Sequence, residues 1–227
     1  MKEITIRPIA KIYTDFPDKF GVPRQSGIVT GLEAKIVFEK PFRNPDALRG
    51  IEGFSHLWLI WDFSLSHTES FSPTVRPPRL GGNRRMGVFA TRSPFRPNPL
   101  GLSSVRLLRA LPDTEEGPVL YVSGADLVNG TPIFDIKPYL PFTDAHPDAI
   151  GGFADGVLGE KVAVSFPEAL LATIPPEKRE GLLALLAEDP RPAYQEEGRE
   201  YGFGFADKEI RFSVKDGVLT VLSVECK

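Results

Sequence analysis

The chain of 227 residues has a single cysteine, Cys226, next to its last residue. One thiol excludes a disulfide framework and a cysteine-built metal cluster, and it suits a reducing, cytoplasmic compartment. No apolar run approaches the roughly 20 residues of a membrane-spanning helix. The opening stretch MKEITIRPIA mixes charged with apolar side chains, which is not the pattern of a secretory signal. A phosphate-binding loop, the glycine fingerprint of dinucleotide folds and the G-x-S-x-G nucleophile turn are all missing. GGNRRMG is glycine-rich but has none of these spacings. The three histidines, His56, His67 and His146, are scattered and lack ligand spacing, so no metal site is expected. His56 lies inside an apolar run, where a satisfied core histidine competes with a catalytic one.

Acid is the most informative shortage. From Ser70 to Pro112 there is no Asp, Glu or Lys, but there are eight arginines: Arg76, Arg79, Arg84, Arg85, Arg92, Arg96, Arg106 and Arg109. That window carries +8, so within a net charge of −3 the rest of the chain carries −11. Ordinary surfaces intersperse the two signs. Partition of this kind either leaves arginines solvated or builds an anion-facing surface, since guanidinium forks suit phosphates and carboxylates.

Proline is abundant: its 22 residues are nearly twice the usual share of about 5%. This favours short strands and ordered loops. Strands are expected over Ile4–Ala10, Ala34–Glu39, Phe54–Phe63, Gly87–Thr91, Leu102–Leu111, Pro118–Val128 and Ile133–Ile136. Phe54–Phe63 reads as fully buried. Asn44–Ile51 reads as a short helix capped by Asn44, and Pro141–Gly159 as a linker. Beyond it come a strand at Lys161–Phe166, a helix at Pro175–Asp189 and three late strands with a turn at Lys215-Asp216-Gly217. The expectation is a mainly β protein, with an all-β unit over 1–155 and a small α+β unit over 156–227.

Besides the arginine-rich segment, two stretches stand out: PRQSG (Pro23 to Gly27), and ADLVNGTPIFDIKPYLPFTDA, where Asp126 and Asn129 flank a tight turn. Two readings of that pair stay open. Asx residues build turns through their own side chains, and turns also gather carboxylates and backbone N–H groups at one point.

Taken together, PRQSG, GFSHLWLIW, PTVRPPRLGGNRRMGVFATRSPFRPNPLGLS, DLVNGTPIFDIKPYLP and AEDPRPAY resemble the YaeB/TrmO-like family of tRNA methyltransferases, in the family's order and over nearly the whole chain. The resemblance implies an N-terminal β-barrel that binds S-adenosylmethionine (SAM), a homodimer, and methylation of N6 of N6-threonylcarbamoyladenosine at position 37, in the anticodon loop of tRNA. It implies cofactor contacts at Pro23, Arg24, Gln25, Phe63, Ser64, Arg92, Leu102 and Ser123, Gly124, Ala125 and Asp126. Arg92 or Arg24 would meet the methionine carboxylate, with Phe63 and Leu102 beside the adenine. Arg84, Arg85 and Arg96 become candidates for tRNA phosphates, and Arg191 and Tyr194 for further RNA contacts or for packing between units. The chain departs from the family at Ser64, where relatives can have His, and at Asn129, where they often have Asp.

The acceptor nitrogen must lose a proton, which makes a general base reasonable. Asp126 is the first candidate and Tyr139 the second, against the alternative that proximity suffices without a base. Two other function classes stay in play: a non-catalytic RNA-binding module, and an enzyme acting on a small anionic metabolite.

Overall fold

The computed structural model describes residues 3–77, 84–157, 161–191 and 198–226. Arg79 and Tyr194 lie outside the described residues. Six strands close an antiparallel barrel in the order β1-β2-β7-β6-β3-β8. They are β1 (Ala10–Tyr13), β2 (Glu33–Phe38), β3 (His56–Asp62), β6 (Leu100–Leu111), β7 (Val119–Ser123) and β8 (Thr131–Pro138). Two short strands, β4 (Thr74–Val75) and β5 (Met86–Gly87), pair with each other outside it.

The barrel core follows from alternation. On β3, Leu57, Leu59 and Trp61 point inward and are buried, while His56, Trp58, Ile60 and Asp62 are half-buried on the outside. The run expected to be fully buried is therefore a barrel wall, with every second side chain in the core. Ile12, Ile36, Leu120, Leu127 and Ile133 fill the interior with them. Burying each such side chain contributes about 1.5–3 kcal/mol.

Two expected strands move. β1 begins at Ala10, and Ile4 and Ile6 before it are exposed, because Pro8 offers no N–H to a ladder. Gly87–Thr91 holds only the end of β5, followed by a single 3-10 turn over Val88–Ala90. Asn44 caps as expected, its side chain accepting from the Asp46 N–H at 3.0 Å, but the helix it starts is a 3-10 turn over Pro45–Leu48. The stretch read as a linker holds α1 (Pro141–Asp144) and a 3-10 segment at Gly152–Val157.

The C-terminal part is a four-stranded sheet in the order β10-β11-β12-β9, with β9 (Ala163–Ser165) parallel to β12 (Val218–Cys226). β10 (Glu200–Phe205) and β11 (Lys208–Lys215) are antiparallel neighbours. Positive φ at Asp216 and Gly217 makes the tight turn from β11 to β12. Helices α2 (Glu168–Leu171) and α3 (Pro176–Ala187) accompany the sheet, and Leu182, Leu185 and Leu186 of α3 are buried in its core. Among the described residues, no helix is long and apolar enough to cross a membrane.

The β1–β2 loop joins the two parts. Its Phe16, Val29 and Leu32 are buried in the C-terminal core rather than in the barrel. The Lys178 ammonium pairs with the Asp15 carboxylate, and the Ala206 N–H donates to the Asp15 carbonyl at 2.7 Å. Gly31 and Gly181 cross backbone to backbone, so closely that a Cβ on Gly31 would lie 3.0 Å from the Gly181 Cα.

Candidate functional site

At one end of the barrel a cleft of about 170 Å³ opens between the β1–β2 loop, the end of β3 and the segment after β7. Phe63, Ser64 and Leu65 form one wall, Lys19 and Val22 of the β1–β2 loop line another, and Asp126 reaches in after β7. The Phe63 ring packs edge-on against Trp61, centroids 4.3 Å apart. The Phe63 N–H donates to the Pro99 carbonyl at 2.9 Å, tying this wall to the proline-rich stretch before β6.

Asp126 owes its place to glycine. Gly124 has φ +80°, which turns the chain sharply after β7, and its carbonyl accepts from the Gly27 N–H at 2.9 Å. The loop bearing PRQSG thus lies directly on the end of β7. It is also fastened to β6, since the Ser104 N–H donates to the Ser26 hydroxyl at 3.2 Å.

Asp126 is half-buried, and burial pushes its carboxyl above the usual carboxylate range. Four influences pull the other way: the Ser103 hydroxyl, the backbone N–H groups of Asp126 and Ser26, and the positive charge of Arg92. Ser103 donates to Asp126 Oδ1 at 2.5 Å, and Trp61 Nε1 donates to Ser103 at 2.9 Å. A partly desolvated carboxylate facing a cleft, with a cation nearby, suits proton transfer or the holding of a positively charged ligand.

The other expected site residues fall into distinct places. Gln25 accepts from Arg92 Nη1 at 2.5 Å and donates to the Arg24 carbonyl at 2.6 Å, so Gln25 and Arg92 act together beside Asp126. Arg24 turns away: its Nη2 donates to the carbonyls of Asp189 at 2.5 Å and Arg191 at 2.9 Å, beyond α3. Pro23, Ser123, Gly124 and Ala125 are buried next to the cleft-lining Val22 and Asp126 in sequence and are not themselves on the cleft wall. Leu102 stands 55% exposed on the outer face of β6, opposite Ile60, and not on the cleft wall. Tyr139 packs on the barrel exterior against Trp58 and His56, with centroids 5.5 and 6.2 Å away, and this chain does not bring it to Asp126. Asn129 builds the turn, accepting from the Thr14 N–H at 3.1 Å, so the Asp126–Asn129 pair divides into a cleft carboxylate and a turn former.

Of the arginines assigned to RNA, Arg84 and Arg85 are exposed, and Arg85 donates to the Thr74 hydroxyl at 2.9 Å. Arg96 is half-buried and donates to the Thr91 and Ser93 carbonyls at 3.2 and 3.4 Å, bracing its own loop. Arg191 is gripped by Asp189 through two bonds of 2.8 and 2.7 Å. Arg109 lies over the Tyr121 ring and forks onto Glu33. The acid-free window therefore mixes exposed cations with cations used internally.

Ser103, Trp61, Ser26 and Lys19 are site residues the sequence reading misses. One signal was available: Ser103 shares the inward register of β6 with Gly101 and Val105, and a hydroxyl pointing into an apolar barrel demands a partner. Asp62 also lines the cleft and pairs with His67 Nε2 at 2.6 Å.

Comparison with known proteins places this geometry among relatives. Residues 11–145 match the tRNA-methyltransferase O N-terminal domain, and residues 159–227 match the TrmO C-terminal domain. The chain is 42% identical to a tRNA (adenine(37)-N6)-methyltransferase of Escherichia coli K12, with 99% of each chain covered. It is 39% identical to a putative S-adenosylmethionine-dependent methyltransferase, RcsF, of Pseudomonas aeruginosa, covering 92% of this chain and 91% of that one. A crystal structure of TrmO from P. aeruginosa superimposes with a TM-score of 0.80 at 32% identity, covering 100% of this chain and 99% of the other.

Proposed function

The chain belongs to the tRNA-methyltransferase O family, and from that premise we propose that it is a SAM-dependent enzyme methylating N6 of adenine 37 in tRNA, with N6-threonylcarbamoyladenosine as the acceptor. The observation that carries the reading is the position of Asp126: half-buried, hydrogen-bonded to Ser103, and set between an aromatic wall and the Arg92 guanidinium.

The donor set fits the cofactor. Phe63 and Leu65 offer apolar surface to an adenine, Arg92 offers a fork to a carboxylate, and Asp126 faces the cleft with negative charge. SAM, when bound, supplies a methyl group from a cationic sulfur that leaves as a neutral thioether once N6 takes the methyl carbon. The chain's own task is to hold the two reactants in line and to remove one proton. Asp126 takes the N6 proton on its cleft-facing oxygen and returns it to solvent. Gln25 positions Arg92, and Arg24 fixes the loop that carries Gln25 by binding the carbonyls beyond α3.

Arg84 and Arg85 serve the phosphates of the anticodon loop, where unpaired bases are open to recognition. Arg96 and Arg191 support that surface by bracing their loops. The protein works in the cytoplasm as a homodimer, and the exposed stacked pair Phe71 and Phe89 supplies apolar surface for a partner copy. We place the boundary between the barrel unit and the C-terminal unit at residues 155–156.

Titration calorimetry with SAM and then with tRNA tests this reading. Saturable binding of both is expected. Binding of tRNA without SAM would point to an RNA-binding module. Binding of SAM without tRNA would point to a small-metabolite enzyme.

A further inference from the structure

Three groups from strands distant in sequence meet inside the barrel wall. Trp61 is on β3, Ser103 is on β6, and Asp126 follows β7. The indole N–H is a donor only. It points at the Ser103 oxygen from 2.9 Å, which occupies that hydroxyl as an acceptor. Ser103 has one proton left, and it goes to Asp126 Oδ1 at 2.5 Å. The direction of the chain is therefore fixed by chemistry, from Trp61 through Ser103 to Asp126. A hydroxyl donated to a carboxylate favours its ionised form, against the burial that favours the protonated one.

The chain is rigid as well as directional. Ser103 is 1% exposed, so bulk water does not replace either partner. Trp61 lies flat across Gly101, its cross-strand partner, where any Cβ would collide with the ring. The indole thus has one seat, and from that seat it reaches Ser103. Ser103 is not on the cleft wall, whereas Trp61 lines it beside Phe63.

The geometry points to Ser103, oriented by Trp61, as the positioning residue that holds Asp126 as a proton acceptor, with Oδ1 engaged and Oδ2 left to the acceptor nitrogen. This rests on the proposed reading of Asp126 as the base. Without the Ser103 hydroxyl, the carboxylate loses a donor that favours its ionised form and fixes its Oδ1. The other groups acting on it stay in place: Arg92, the N–H groups of Ser26 and Asp126, and the cleft residues Lys19 and Asp62, the latter paired with His67.

The test is single-turnover methyl transfer as a function of pH, alongside SAM affinity by calorimetry. Single turnover keeps product release out of the measurement. Ser103→Ala is expected to slow transfer about 10–100-fold near neutral pH and to move the acid limb of the profile to higher pH. Its SAM affinity stays within about threefold of wild type, because Ser103 is buried behind the cleft and is not one of its lining residues. Trp61→Phe keeps the ring over Gly101 but removes the donor, and it moves the limb the same way by less. It also provides the reading if Ser103→Ala folds poorly. A uniform loss at all pH values, or a loss confined to SAM affinity, overturns the positioning role. Asp126→Asn separates the two claims. If it abolishes transfer while the Ser103→Ala and Trp61→Phe limbs stay put, the base stands and the positioning falls. If Asp126→Asn transfers normally, both fall.

Discussion

Gly101→Ala is the smallest change that probes the barrel wall behind the cleft. Glycine within a strand costs about 0.5–1 kcal/mol in chain entropy, so alanine begins with that advantage. Against it, the new Cβ would sit inside van der Waals contact of three indole atoms of Trp61. Trp61 is 7% exposed, packs edge-on against Phe63 and lines the cleft, so the ring can give way only by leaving its seat over Gly101 and closing on the cleft. Overpacking of this kind costs about 1–3 kcal/mol. Displacing the indole also breaks its bond to Ser103, worth about 1 kcal/mol. The penalties win, and the variant is expected to lose about 1–3 kcal/mol of stability. Urea unfolding followed by fluorescence reads this directly, since both tryptophans, Trp58 and Trp61, lie on β3. Methyl transfer falls along with it as Asp126 loses its support. A Gly101→Ala protein as stable and as active as wild type would refute the packing argument and the relay behind it.

Other sites make independent predictions. Gly181→Ala gains helix propensity of about 1 kcal/mol, but its Cβ would meet Leu32 at 2.5 Å and the Gly31 backbone at 2.9 Å, and backbone does not rotate away. Its SAM affinity is expected to fall, because the displaced loop lines the cleft through Lys19 and Val22; unchanged calorimetric affinity would separate the loop from the C-terminal part. Arg92→Ala should weaken SAM binding about tenfold or more, and equal affinity would remove Arg92 from the cofactor site. Arg85→Ala should weaken tRNA binding and reduce its salt dependence while sparing SAM affinity, and a gel-shift salt series decides it. Asp126→Asn should change the pH dependence of stability. Burial raises the wild-type carboxyl, so the folded state keeps a proton that the unfolded chain releases, and stability is lost as pH rises from the usual carboxylate value through the raised one. The variant lacks that slope, so its urea midpoint gains on wild type across the window; parallel midpoints would contradict the burial argument.

Much of the architecture was legible because it depends on local pattern. α3 announces itself by Pro176 and Glu177 ahead of a leucine-rich run, and the β11–β12 turn by Asp216-Gly217. Errors arose where a neighbour overrode the pattern. Pro8 moves the start of β1, and the β4–β5 pairing ends at Gly87, where the chain turns into a 3-10 segment. The site was legible only in part. Asp126, Phe63 and Arg92 lie in motifs that stand out by composition. Ser103 and Trp61 meet through cross-strand register between residues 42 apart, which no local pattern reveals. Arg24, Arg96 and Arg191 read as free cations in sequence. Their engagement is with backbone carbonyls or, for Arg191, with a carboxylate two residues away, and a carbonyl has no letter in the sequence.

Methyl transfer from labelled SAM to two tRNA preparations, one bearing threonylcarbamoyladenosine and one lacking it, tests the central claim most directly. Digestion and mass spectrometry of the nucleosides identify the acceptor. The account predicts label in methylated threonylcarbamoyladenosine from the first preparation alone. Label absent from both, with SAM and tRNA bound, would contradict it.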